Sequence, residues 1–111
     1  MYHDPITSAP ICFSDLPKEE GEAWMKKFPR HSAVCFGSEL TYAGYKDIPA
    51  SWLLCEEDLC IPAENQREAI ELIEKVSGRK VDVTSIKTGH VPPASAPEKV
   101  IDWILDVAGK A

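Results

Sequence analysis

The chain has 111 residues and a mass of 12.3 kDa, the size of one small domain or a piece of a larger one. Its 44% hydrophobic content suits a packed core and excludes a disordered chain, while a net charge of −6 is repelled by nucleic acid and by anionic membrane surfaces. No apolar run approaches the roughly 20 residues that a membrane-crossing helix needs, and Met1-Tyr2-His3-Asp4-Pro5 has neither the basic flank nor the apolar stretch of a signal peptide, so a cytoplasmic protein is expected.

In chain order, Ser14-Asp15-Leu16-Pro17 reads as a helix start, with polar caps and then a proline whose missing N–H costs nothing in the first turn. Gly21, Trp24, Met25 and Phe28 recur at i, i+3, i+4 and i+7 and predict one apolar stripe, ended by Pro29. Residues 31–47 are mixed: a short helical turn between His31 and Gly37, then a loop through Tyr42 and Tyr45. The run Ser51 to Cys55 is continuously apolar after its first residue, the pattern of a strand buried on both faces in a parallel sheet. Pro62 opens a helix with Ala69, Leu72, Ile73 and Val76 as its stripe and Gly78 as its stop. Lys80 to Ile86 predict a second strand, with Val81, Val83 and Ser85 on one face. After a loop carrying Gly89-His90, Ser95 and Glu98 read as a capping box for a last helix bearing Val100, Ile101, Ile104, Leu105 and Ala108.

The expected class is therefore α/β, in two parts: a helical segment over residues 1–47 and a βαβα core over 48–111. A right-handed crossover joins its two parallel strands. Two strands of buried type leave an apolar edge unpaired, so the sheet is expected to be completed by a partner chain. Four cysteines, Cys12, Cys35, Cys55 and Cys60, are expected as free thiols, with Cys35 and Cys55 in the core. The C-x4-C spacing of Cys55 and Cys60 has no second pair or nearby histidine to complete a zinc site, and no metal is expected.

The candidate chemistry lies where the two strands end. Asp58 follows the first strand and His90 the second, and adjacent parallel strands bring their carboxyl ends side by side. An imidazole with an ordinary pKa near 6.5 can take and return a proton at neutral pH. A carboxylate on its other nitrogen would fix the tautomer and stabilise the imidazolium. The competing account makes Asp58 a helix cap and His90 a loop residue bonded to backbone. Glu56 and Glu57 read as solvated charge, His3 and His31 as surface or cap residues, and Trp24 and Trp103 as core. Ser85 and Ser95 are poor nucleophile candidates, one inside a strand and the other an N-cap.

Trp52-Leu53-Leu54-Cys55-Glu56-Glu57-Asp58-Leu59-Cys60-Ile61-Pro62, followed by Gln66, resembles the acid-bearing strand, loop and helix start of α/β-hydrolases. The likeness is to the methylesterase and hydroxynitrile-lyase branch and to fungal esterase-like proteins. Thr88-Gly89-His90 resembles the histidine loop of that family. The stretches Ser14–Trp24 and His31 through Tyr42 to Pro49 resemble the end of the fungal members' cap and its return to the core. The resemblance implies the C-terminal βαβα portion of an α/β-hydrolase fold behind a cap-like segment. It implies Asp58 and His90 as catalytic acid and base, and Tyr2, Tyr42 and Tyr45 as substrate-binding residues near the entrance. The departure from the family is large: its first half, with the oxyanion loop and the serine, has no counterpart here, and no G-x-S-x-G elbow occurs in the 111 residues.

Three functions follow as expectations. The first is an esterase-type hydrolase of a small organic ester that draws its serine from a complementary half. The second is a stand-alone serine-less acid/base enzyme (lyase, isomerase, dehydratase or cyclase) on a secondary metabolite. The third is a non-catalytic dimerising module. No cofactor is expected, and the expected partners are a small-molecule substrate and a second copy or a complementary hydrolase half.

Overall fold

Two short helices, α1 (Pro5–Cys12) and α2 (Lys18–Met25), begin the computed structural model, which describes residue 1 and residues 3–111. Helix α1 was not foreseen, because Ile6, Ala9 and Ile11 trace no single stripe and Pro10 sits inside it. Its start is nonetheless well specified: Pro5 occupies the first turn and the Asp4 carboxylate accepts the Thr7 N–H at 2.9 Å. Ala9, Phe13 and Met25 bury one another between the two helices, with Leu16, Trp24, Val91 and Ala94 packed around them. The expected caps of α2 do not cap it. Pro17 holds the N-cap position without a side-chain hydrogen bond, and Asp15 is engaged elsewhere.

Residues 31–47 contain two single 3-10 turns, Ala33–Phe36 and Gly44–Lys46. Cys35 is exposed on the first of them rather than in the core, since none of the four residues of that turn is buried. The second is tied to the end of the following helix by the Arg79 guanidinium, which donates to the Lys46 carbonyl at 2.8 Å.

Strands β1 (Ser51–Cys55) and β2 (Asp82–Ile86) pair in parallel, with Ser51 opposite Asp82 and Cys55 opposite Ile86. Helix α3 (Ala63–Ser77) makes the crossover. It ends at Gly78, whose φ of 70° is the left-handed turn that a residue with a Cβ resists. The face it buries is carried by Gln66, Ile70 and Ile73, at i, i+4 and i+7, against Leu54 and Val81. The expected stripe was rotated from this: Leu72 and Val76 are largely exposed and Ala69 lines a cleft. Burial along β1 rises toward its end, where Leu54 and Cys55 are covered and Ser51 to Leu53 are half-open. On β2 only the preceding Val81 is buried, while Val83 and Ser85 are exposed.

A single turn, α4 (Pro92–Ser95), precedes α5 (Pro97–Gly109). The expected capping box therefore does not form: Ser95 closes α4, and Ala96 is the N-cap of α5. Ile101, Ile104 and Leu105 on α5 are 52–65% exposed.

Candidate active site

The site is built from the two loops that leave the strands. Beyond β1 the chain turns through Glu56 and Glu57, both solvent-facing, and their backbone binds the other loop: Glu56 N–H donates to the Ile86 carbonyl at 2.9 Å and Glu57 N–H to that of Thr88 at 3.1 Å. The second bond is one residue out of the strand register, Asp58 N–H turning back to the Cys55 carbonyl instead, and the two loops tied in this way bring Asp58 beside His90.

Asp58 Oδ2 lies 2.9 Å from His90 Nδ1. The Asp58 side chain is 5% exposed and that of His90 30%. The other carboxylate oxygen, Oδ1, accepts the Cys60 N–H at 2.8 Å and the Ile61 N–H at 2.9 Å. One oxygen organises the turn ahead of α3, and the other faces the imidazole. The helix itself is capped by Pro62, without a side-chain hydrogen bond. A buried carboxylate accepting at Nδ1 specifies the Nδ1–H tautomer of the neutral ring, which leaves Nε2 with the free lone pair. Nε2 has no hydrogen-bond partner among the described residues.

The pair sits at an open cleft of about 470 Å³ whose walls are mostly apolar: Trp52, Leu53, Ile61, Ala69, Pro92 and Trp103. A second cavity of about 300 Å³, between α1 and α2, is lined by Ala9, Pro10, Phe13, Ser14, Leu16, Lys18 and Gly21, and Lys18 is its one ionisable group among the described residues. Cys55 also lines the cleft, but burial pushes its thiol up, which keeps it protonated and poorly nucleophilic. Cys12 is pushed up in the same direction, by burial first and by its neighbour Cys60 second.

Two cleft residues were not assigned their place by sequence. Gln66, 4% exposed, uses its amide as a short strand: Nε2 donates to the Cys55 carbonyl at 3.0 Å and to the Ile61 carbonyl at 2.8 Å, while Oε1 accepts the Cys55 N–H at 3.1 Å. Its position after Pro62 belonged to the motif, but polar burial on an otherwise charged helix start has no local signal. Trp103, expected in the core, forms part of the cleft wall, and its Nε1 is buried without a partner among the described residues.

Tyr42 and Tyr45 are not at the pair. Tyr42 is exposed and donates its hydroxyl to Asp47, and Tyr45 lies in the 3-10 turn held by Arg79. Neither lines the cleft; the turn that carries Tyr45 is tied instead to Arg79, just past the C-terminal end of α3. Tyr2 lies outside the described residues.

No family model matches the chain. It is 35% identical over 109 residues to the probable hydrolase R7 of a Phoma species, a match covering 98% of this chain and 45% of that protein. It is 33% identical over 72 residues to the α/β hydrolase nvfD of Aspergillus novofumigatus, covering 64% of this chain and 27% of that protein. The chain thus spans less than half the length of the curated relatives it matches. Similarity of this extent to proteins named hydrolase, with a parallel strand pair whose ends carry the polar loops, fits a portion of an α/β hydrolase and supports a hydrolase-like role.

Proposed function

We propose that Asp58 and His90 are the acid and base of an esterase-type hydrolase acting on a small organic ester, and that the nucleophilic serine comes from a complementary half. The reading is carried by one observation: a carboxylate buried to 5% exposure stands 2.9 Å from Nδ1 of a half-exposed histidine at an apolar cleft. The similarity to proteins named hydrolase supports the reaction class. In the proposed step, His90 Nε2 removes the serine proton as the oxygen attacks the ester carbonyl. Asp58 stabilises the resulting imidazolium, and the proton passes to the departing alcohol as the ester C–O bond breaks. Water then repeats the sequence on the acyl-serine.

The complementary half has a place to dock. Asp82 N–H binds the Ala50 carbonyl and Glu56 N–H the Ile86 carbonyl, so the even-numbered residues of β1 face β2. Alternation turns Ser51, Leu53 and Cys55 to the other edge. Gln66 occupies that edge at Cys55, while Ser51 and Leu53 border the cleft. A further strand, parallel or antiparallel, would pair there and stop at Gln66.

The test is ester hydrolysis by the chain alone and together with the polypeptide encoded immediately upstream of Met1. Turnover is expected only in combination, and Asp58→Asn or His90→Ala should each lower it about 10²-fold or more. Hydrolysis by the chain alone would remove the need for a second half. Full activity of both variants would remove the acid–base role.

A further inference from the structure

The peptide unit joining Thr88 to Gly89, immediately ahead of His90, is held at both poles. Its carbonyl accepts the Glu57 N–H at 3.1 Å. Its N–H donates to Asp15 Oδ2 at 2.8 Å, across 74 residues of sequence. Both Thr88 and Gly89 are buried, so without Asp15 this N–H would be left without an acceptor. Contact is close as well as polar: a Cβ on Gly89 would stand 2.7 Å from Asp15 Oδ1, so a larger residue there has to displace the carboxylate. Downstream of His90 the chain is held by different forces. Val91 and Ala94 pack onto the Phe13 cluster, which the same α1–α2 connection supplies together with Leu16. The histidine is therefore bracketed, by a carboxylate before it and an apolar contact after it, both from residues 9–25.

We infer that Asp15 is a positioning residue for His90: by fixing the Thr88–Gly89 peptide plane it aims Nδ1 at Asp58, coupling the N-terminal helix pair to the acid–base pair. The inference rests on the reading of Asp58 and His90 as that pair. Asp15 acts through the backbone of Gly89 and has no proton-transfer role of its own.

The experiment is ¹H–¹⁵N NMR of the histidine-labelled 111-residue chain, following exchange of the His90 Nδ1–H that donates to Asp58. Asp15→Asn, which keeps an oxygen acceptor, should retain protection close to that of the original chain. Asp15→Ala should exchange about tenfold faster, the order expected for losing one charge-assisted hydrogen bond. Gly89→Ala should have the same effect by displacing the carboxylate, and the double variant should add little to either single one. Unchanged protection in Asp15→Ala overturns the inference, even if its unfolding midpoint falls, because a merely structural role would lower stability and leave the imidazole signal alone. Should Asp15→Ala fail to fold, Gly89→Ala reports on the same contact and decides. Asp58→Asn separates the two ideas. If it leaves Nδ1–H protection intact, the acid–base pairing itself is wrong; if it abolishes protection and Asp15→Ala does not, only the role of Asp15 is lost.

Discussion

Asp58 divides its two oxygens between two tasks, and the division can be measured. Oδ1 accepts two backbone N–H groups of the turn ahead of α3, whereas Oδ2 faces His90. Asp58→Ala strands both N–H groups in a part-buried turn and should destabilise the fold by about 1–3 kcal/mol. Asp58→Asn keeps an amide oxygen for them and should cost less than half as much, while losing the charge that stabilises an imidazolium. Urea unfolding midpoints at constant m-value check the first effect. Two variants of equal stability would show that Oδ1 does not organise the turn.

At the scale of single elements, α3 is specified at its end more firmly than along its face. Gly78 adopts φ 70°, so Gly78→Ala should lower stability by about 1 kcal/mol, read from thermal or urea unfolding. The turn into β2 is tied by Glu74, whose carboxylate accepts from Lys80 Nζ at 2.7 Å and from the Val81 N–H at 3.1 Å. These bonds, Lys80 first and Val81 second, hold its pKa below the usual value. A carboxylate with a lower pKa folded than unfolded stabilises the fold above its ordinary range, and that contribution fades as acid protonates it. Stability should therefore fall as pH drops through and below the carboxylate range, and Glu74→Gln should flatten that part of the profile. A profile identical in the two proteins would show that Glu74 is not among the groups responsible.

For the whole molecule, the open edge of β1 and the apolar face of α5 set the expectation. Two paired strands form a marginal sheet on their own, and Ile101, Ile104 and Leu105 are more than half exposed. Light scattering over a range of concentrations should show association of the isolated chain, and Leu105→Lys should reduce it. A stable monomer at all concentrations would contradict the proposal that this sheet is completed by another chain.

Local pattern determined much of this protein. The bounds of β1, the start of α3 after Pro62 and its stop at Gly78 follow from apolar runs, proline and glycine, because each depends on the residue itself and its near neighbours. The approach of Asp58 to His90 was also legible, since a parallel pair with one crossover must set its strand ends together. Whatever depends on phase or on distant contacts was decided by the tertiary structure. Which face of α3 is buried was fixed by the position of Leu54 and Val81, not by the count of apolar residues. Asp15, which reads as a helix cap, was taken by a backbone N–H 74 residues away, and Ser95 lost its capping role to the short turn of α4. A carboxylate near a helix start satisfies a local donor or a remote one equally well, and only the packing of α1 and α2 against the histidine loop selects between them.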